Sequence, residues 1–121
     1  MAHFNETQPI FVQIRQRVVA LILNGTIKEG EAVPSIRQVA MDLEVNPLTV
    51  TKAYQTLTDS GVIEKKRGLG MFVKEGAREQ LLSQERETFL AEEWPRIRQQ
   101  IAALGLSLDE LMHTDNKDAK K

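Results

Sequence analysis

Residues 34–61, PSIRQVAMDLEVNPLTVTKAYQTLTDSG, contain two helix starts in close succession. Ser35 is followed three positions later by a glutamine, which is the form of a capping box. Asn46 can cap a second helix that has Pro47 in its first position and ends at Gly61. The stretch therefore predicts two short helices joined by a turn of only a few residues.

The apolar residues of this stretch recur at helical spacing. In the second helix they are Val50, Ala53, Tyr54 and Leu57. If these four side chains face the core, helical geometry turns the opposite side outward. That side carries Leu48, Thr51, Lys52 and Gln55. Such a pair of helices is typical of a helix-turn-helix, which inserts its second helix into the major groove of DNA.

The flanking segments extend this pattern into a winged domain. Residues 9–24 predict an amphipathic helix, which a loop follows. Two short strand-like runs, 62–65 and 71–74, are separated by residues 66–70, whose glycines suit a tight hairpin turn. Three helices followed by a hairpin are the order of a winged helix-turn-helix. We therefore expect residues 1–75 to form a winged helix-turn-helix DNA-binding domain.

Length and composition exclude several classes of protein. The chain has 121 residues, enough for one compact domain plus an appendage. The absence of cysteine excludes disulfides, thiolate zinc sites and a cysteine nucleophile. No apolar run is long enough to span a membrane and the N-terminus lacks a secretory pattern, so we expect a cytoplasmic protein without a membrane partner. His3 and His113 stand near opposite ends of the chain, and we expect no metal and no cofactor.

The charge pattern restricts any nucleic-acid contact to a few places. A net charge of −1 argues against a nonspecific nucleic-acid coat, because such proteins carry a basic excess that releases counterions from phosphate. The basic cluster Lys65-Lys66-Arg67 lies at the predicted hairpin, next to Gly68 and Gly70. There the cations could bind phosphates and the glycines could let the backbone approach the minor groove. The alternative is a hairpin whose charges are merely solvated.

The helix-turn-helix supplies a second group of candidate DNA contacts. Arg37 lies in the first turn of its helix and could reach a guanine edge, whereas an ion pair with Asp42 or Glu44 is the alternative. On the inserted helix, Lys52 could donate to guanine and Gln55 to adenine or phosphate. For every candidate, a solvated surface position is the alternative. The full set is Ser35, Arg37, Asn46, Leu48, Thr49, Thr51, Lys52, Gln55, Lys65, Lys66, Arg67, Gly68 and Gly70.

Residues 76–121 interleave long polar side chains with large apolar ones. We expect one long helix or two in line, bent or divided at Pro95 because proline removes an internal hydrogen bond. Ser107 should start a short final helix, and a disordered tail is expected from about residue 114. The apolar set predicts a dimer interface, and the alternative is a helix that folds back on its own DNA-binding domain. The set is Leu82, Phe89, Leu90, Trp94, Ile97, Ile101 and Leu104.

Residues 9–74 contain Gln13-Ile14, Gly25, Gly30, Pro34-Ser35-Ile36-Arg37, Ala40, Leu43, Val45-Asn46-Pro47, Thr49-Val50, Ala53-Tyr54, Leu57, Gly61, Ile63 and Gly68-Leu69-Gly70-Met71-Phe72-Val73. This combination resembles the DNA-binding domain of the GntR family of bacterial transcription regulators. The resemblance implies that Arg37 contacts bases and that Gly70 reaches the minor groove. It also implies that the third helix reads the major groove through Thr49 and Lys52.

The chain departs from many GntR members at two points. Asn46-Pro47 stands where many members have Ser-Arg, so an arginine contact familiar in the family is missing. Met71 replaces a frequent threonine, which removes a phosphate contact seen in the family. The Asn-Pro form and the short C-terminal region instead resemble the YtrA subfamily, whose members end in two helices that dimerise.

We therefore expect a mainly α-helical chain with a small β-hairpin, in which a winged helix-turn-helix precedes a helical dimerisation segment. The predicted function is a sequence-specific repressor that binds an inverted-repeat operator in double-stranded DNA as a homodimer. Residues 76–121 are too few to enclose a pocket on the order of several hundred Å³. An unknown small-molecule effector would therefore act by changing the relative placement of the two winged domains in the dimer. The alternative is a winged-helix module for protein assembly. An enzyme is disfavoured because no nucleophile–base pair and no cofactor loop is found.

Overall fold

A computed structural model describes the backbone of residues 8–119 and the side chains of residues 8–114. It confirms the expected fold class, mainly helical with one two-stranded antiparallel hairpin. The chain divides into two compact units, the first ending at Ser83 and the second beginning at Gln84. The elements are α1 (Ile10–Leu23), α2 (Ile36–Leu43), α3 (Pro47–Asp59), β1 (Ile63–Lys66), β2 (Gly70–Val73), α4 (Ala77–Thr88), a π-helical turn (Phe89–Glu93), α5 (Trp94–Ala103) and α6 (Leu108–Ala119).

The predicted caps start both helices of the helix-turn-helix. Ser35 Oγ accepts a hydrogen bond from Gln38 N–H at 3.1 Å, and Asn46 Oδ1 accepts one from Leu48 N–H at 2.8 Å. The reciprocal half of the capping box is not made, because the Gln38 amide donates to Asp42 Oδ1 at 2.8 Å instead. A hydroxyl alone is therefore sufficient to satisfy the free donor at the start of α2.

The turn between α2 and α3 is short because one of its residues is left-handed. Glu44 has φ 56° and ψ 47°, a conformation that crowds the Cβ of an ordinary residue. Val45 N–H donates to Ala40 O at 3.0 Å and closes the end of α2. The backbone thus reverses between the two helices within a few residues, as the sequence predicts.

The first unit has one apolar core in which α1 packs against α3. The four inward residues predicted for α3 are buried, namely Val50, Ala53, Tyr54 and Leu57. The core also takes Ile14, Val18, Val19 and Ile22 from α1. This packing fixes the rotation of α3 about its axis, so its polar side faces away from the core.

The hairpin pairs Ile63 with Val73 and Lys66 with Gly70. Each strand lies one residue closer to the turn than the sequence predicts, because the turn itself needs only residues 67–69. Ala32 forms an isolated antiparallel bridge with Phe72. The loop after α1 therefore anchors the hairpin to the helices.

The first unit extends beyond the predicted boundary at residue 75. Ala77 and Leu81, in the first turns of α4, are buried in the same core as α1 and α3. Their apolar surface makes the start of α4 part of the winged domain. The sequence pattern placed all of α4 in the C-terminal region, since apolar spacing alone does not reveal which neighbour a helix packs against.

In the second unit, the helical ladder changes register before Pro95. Trp94 N–H donates to Phe89 O, five residues back, and the two rings stack with centroids 6.4 Å apart. The helix is not divided at Pro95, which lies in the first turn of α5, where its missing N–H is tolerated; what changes is the hydrogen-bond register in the π-helical turn just before it. The backbone of α6 is helical through Ala119, where the sequence predicts a disordered tail from about residue 114. Side chains from residue 115 onward and residues 120–121 lie outside the described part.

Candidate nucleic-acid interface

The polar side of α3 faces solvent. Leu48 is 75% exposed, and Thr51, Lys52 and Gln55 are exposed as well, whereas Thr49 is half-buried. The caps and the core therefore leave one face of α3 free along its whole length. A helix of this diameter fits the major groove of B-DNA, which is roughly 12 Å wide.

Three side chains on this face have partners within the chain. Thr51 Oγ1 donates to Pro47 O at 3.0 Å, and Gln55 Nε2 donates to Asp59 Oδ1 at 2.8 Å. Lys52 Nζ lies 4.3 Å from the centroid of the Phe11 ring. An exposed cation–π contact contributes only about 0.5–1 kcal/mol, so exchanging it for a guanine or a phosphate costs little.

Ser35 and Asn46 use part of their polar groups as helix caps. The acceptor oxygen of each side chain is engaged by a backbone N–H. The Ser35 hydroxyl proton and the Asn46 amide group keep their donor capacity. Both residues can therefore donate to a phosphate without releasing the helix that they cap.

Arg37 projects from the exposed side of the first turn of α2. Among the described side chains, no carboxylate lies within 4.0 Å of its guanidinium, and the expected competitor Asp42 is hydrogen-bonded to Gln38. The intrahelical ion pair considered for Arg37 is thus not formed. None of the five guanidinium donors has a hydrogen-bond partner among the described residues, so all of them can bind an outside acceptor.

Tyr54 connects α3 to the segment that carries Arg37. Its buried hydroxyl donates to Pro34 O at 2.6 Å, and burial raises the pKa of Tyr54 to about 12. The phenol therefore stays protonated and remains a donor near neutral pH. Sequence reasoning assigned Tyr54 only to the core. The available signal was that a buried tyrosine needs a partner for its hydroxyl, but the partner lies 20 positions away.

The predicted wing is exposed over its whole basic turn. Lys65, Lys66 and Arg67 are exposed, and Lys66 Nζ lies 4.8 Å from the centroid of the Phe72 ring. Gly68 and Gly70 have φ of 75° and 110°, a region that other residues rarely adopt. Between them Leu69 is 71% exposed at the tip. Sequence reasoning did not select Leu69, although its place between two glycines of a hairpin marked it as the tip.

The two predicted DNA-contacting elements border one groove. The groove has a volume of about 300 Å³ and is lined by Ile36, Thr51, Tyr54, Gln55, Thr58, Lys65, Gly70 and Met71. Two of these residues, Thr51 and Gln55, belong to the outward face of α3, and two others, Lys65 and Gly70, belong to the wing. The recognition helix and the wing thus lie on the same side of the domain.

The second unit presents the predicted dimer residues without burying them. Six of the seven lie in this unit: Trp94, Ile97 and Ile101 are half-buried, and Phe89, Leu90 and Leu104 are exposed. The seventh, Leu82, is half-buried near the end of the first unit. Among residues 84–114, no side chain is buried. These helices therefore lack a core within one copy of the chain.

Neither a metal-binding cluster nor a membrane-spanning helix occurs among the described residues. Their histidine, aspartate and glutamate side chains form no group of three or more that could hold a metal ion. None of the helices in residues 8–119 is long and apolar enough to cross a membrane.

Known proteins share both the motifs and the fold. Residues 11–73 match the family described as bacterial regulatory proteins, gntR family. The chain is 42% identical over 74 residues to the HTH-type transcriptional repressor YtrA of Bacillus subtilis, a match that covers 61% of this chain and 57% of YtrA. The match thus spans just over half the length of that relative.

Two solved structures cover almost the whole chain. A GntR family transcriptional regulator from Listeria monocytogenes has a TM-score of 0.74 and 28% identity over 94% of this chain and 98% of that chain. YtrA from Sulfolobus acidocaldarius, described as a GntR-family transcription factor, has a TM-score of 0.57 and 29% identity over 99% of this chain and 96% of that one. The family and these relatives are regulators and not enzymes, as the sequence predicts. The chain therefore belongs to the GntR family of bacterial regulatory proteins.

Proposed function

We propose that this protein is a cytoplasmic transcription repressor that binds an inverted-repeat operator in double-stranded DNA as a homodimer. The single observation that carries the proposal is the groove bordered by both α3 and the wing. A helix in the major groove and a hairpin in the adjacent minor groove require these two elements on one side of the domain. An assembly module would not need a cationic hairpin beside a polar recognition helix.

The candidate residues divide into those that contact bases and those that contact the DNA backbone. We assign base contacts to Arg37 and Lys52, which can donate to guanine, and to Leu48, which can touch a thymine methyl group. The remaining candidates are assigned to phosphates, together with Gln55, which can also pair with adenine. They are Ser35, Asn46, Thr49, Thr51, Lys65, Lys66 and Arg67. Gly68 and Gly70 let the wing backbone approach the minor groove, where Leu69 makes an apolar contact.

The unburied apolar side chains of the C-terminal helices support dimerisation. Burying a large apolar side chain contributes about 1.5–3 kcal/mol, and Leu90 and Leu104 are 63% and 67% exposed in one copy. A second copy can cover the set Leu82, Phe89, Leu90, Trp94, Ile97, Ile101 and Leu104. Simultaneous binding of two half-sites also explains how a domain without a strong positive charge binds its operator tightly.

A small-molecule effector would act on the dimer and not on the DNA-contacting residues. A ligand shifts an equilibrium only by binding one arrangement better than another. In this protein the arrangement at issue is the distance between two winged domains. Any effector would therefore act by changing this distance, with operator release as its expected consequence.

Selection from random DNA duplexes followed by footprinting tests the proposal. The expected result is an enriched inverted repeat whose half-sites are roughly 34 Å apart or a multiple of that distance, and repression of a reporter that carries it. Failure of the full-length chain to enrich any sequence would contradict the proposal and favour a protein-assembly module. Activation of the reporter would retain operator binding and reject repression.

A further inference from the structure

The start of α4 is capped by a residue from another part of the first unit. Glu29, in the loop after α1, accepts hydrogen bonds from Gly76 N–H at 2.9 Å and from Arg78 N–H at 3.2 Å, one on each carboxylate oxygen. The first N–H groups of a helix have no partner within the helix. A carboxylate at this end also interacts favourably with the helix dipole. Glu29 thus caps α4 across 47 positions of sequence.

Two side chains of α4 in turn hold the carbonyl ends of α1 and α3. Arg78 donates from Nη2 and Nε to Leu23 O at 3.1 and 3.3 Å, and Leu23 is the last residue of α1. Gln80 Nε2 donates to Ser60 O at 2.6 Å, and Ser60 is the C-cap of α3. Because α1 has no basic residue in its own last turn, Arg78 supplies the cation that a helix C-terminus favours.

Apolar packing holds the same turns of α4. Ala77 and Leu81 are buried, so a rotation of α4 about its axis would expose Leu81 to water. From Ala77 to Thr88, α4 is one α-helix that starts in the core of the winged domain. The first turns of α4 are therefore held against the carbonyl ends of α1 and α3.

We infer that Glu29, Arg78 and Gln80, which we call the latch, make this regulator selective for one spacing between the two half-sites of its operator. The inference rests on the proposed function, since only a dimer that reads two half-sites can sense their spacing. Each base pair inserted between half-sites moves one of them by roughly 3.4 Å and rotates it by roughly 35°. A winged domain on a loose linker can follow this movement. In a domain held by the latch, the start of α4 cannot swing on the winged domain without breaking hydrogen bonds.

The test measures how operator affinity depends on spacing. The full-length wild type and the variants Gln80→Ala and Glu29→Gln/Arg78→Ala are titrated against the selected operator and against the same duplex with one or two base pairs inserted. We expect one inserted base pair to weaken the wild type roughly tenfold or more, and the double variant by no more than roughly twofold. Gln80→Ala, which removes one of the contacts, should give an intermediate ratio.

Matched controls remove similar charges without touching the latch. Glu75→Gln and Arg86→Ala change side chains next to and within α4 that are exposed and have no hydrogen bond among the described residues. Both controls should keep the spacing ratio of the wild type. Circular dichroism and sedimentation establish that every variant is folded and dimeric. If the double variant does not fold, Gln80→Ala alone decides the comparison.

The outcomes separate the latch from the proposed function. A wild type that binds no selected duplex rejects the proposed function itself. A wild type that binds all spacings equally well rejects the latch and leaves operator binding intact. The latch is also rejected if folded, dimeric latch variants keep the spacing ratio of the wild type. A lower affinity that is equal at every spacing counts as such a rejection, because it shows only general weakening.

Discussion

The two units of this chain differ in whether one copy supplies their core. In the first unit, the apolar residues of α1, α3, the hairpin and the start of α4 bury one another. In residues 84–114 large apolar residues are just as regularly spaced, yet none is buried. Amphipathic periodicity therefore identifies a face that needs covering but does not identify what covers it. Changes to the first unit should alter stability, and changes to the second should alter association.

Truncation gives the largest expected effect. A chain cut after Ser83 should remain folded as a monomer, whereas a cut after Glu75 also removes the buried side chains of Ala77 and Leu81. Loss of a buried leucine side chain alone costs about 2–5 kcal/mol of the free energy of unfolding. Urea unfolding followed by circular dichroism measures the difference, and sedimentation measures association. Equal stability of the two fragments would contradict the place of Ala77 and Leu81 in the core of the first unit. A dimeric fragment 1–83 would contradict a dimer interface in the second unit.

Ile101→Asp should dissociate the dimer without destabilising the first unit. A carboxylate placed in an apolar interface is costly to bury, and a loss of about 2.8 kcal/mol weakens the dimer roughly a hundredfold. Sedimentation over a concentration series measures this change. Gln99→Asp, which introduces the same charge at an exposed position of α5, is the control. If the Ile101→Asp variant dimerises as strongly as the wild type, Ile101 does not lie in the interface.

Arg37→Ala should weaken operator binding and leave folding unchanged. Loss of a bidentate guanine contact costs about 1–3 kcal/mol, which corresponds to roughly fivefold to hundredfold in affinity. Gel-shift titration on the selected operator and on a nonspecific duplex of equal length measures the specific part. Arg98→Ala removes an equal charge from an exposed position of α5 and serves as the control. Equal loss on both duplexes would indicate a phosphate contact in place of a base contact.

Tyr54→Phe should have the smallest effect, and that effect should depend on pH. Loss of the hydrogen bond to Pro34 O lowers the free energy of unfolding by about 1 kcal/mol. Burial raises the pKa of Tyr54 to about 12, above the value near 10 of an exposed tyrosine. The folded state therefore holds the phenolic proton more tightly than the unfolded state does. This contribution is complete below pH 10 and is lost as the pH rises from 10 towards 12.

Urea unfolding between pH 7 and pH 11.5 measures this component as the difference between wild type and Tyr54→Phe. Tyr54 is the single tyrosine of the chain, so its absorbance change also gives its titration directly. A difference between the two proteins that stays constant across this range would mean that the pKa of Tyr54 is not raised.

Much of the first unit followed from local signals. Ser35 and Asn46 start their helices as expected, since a cap depends on groups within one turn. The outward face of α3 followed from the inward one, because both obey the same helical period. The structure departs from the prediction where a side chain or a helix has more than one possible neighbour. Gln38 was expected to complete a capping box but donates to Asp42 instead. The domain boundary was predicted at residue 75, but the burial of Leu81 extends the first unit beyond it.

The helices, the hairpin and the exposed candidate contacts with DNA could be predicted from the sequence, because they depend on interactions between residues close in the chain. The tertiary structure was needed to identify the partners of Tyr54, Glu29 and Arg78, which lie 20, 47 and 55 positions away. It also decided that α3 and the wing share one groove. The physical reason is that a hydrogen bond between distant segments leaves no periodic or capping signature, and exists only after packing has brought its donor and acceptor together.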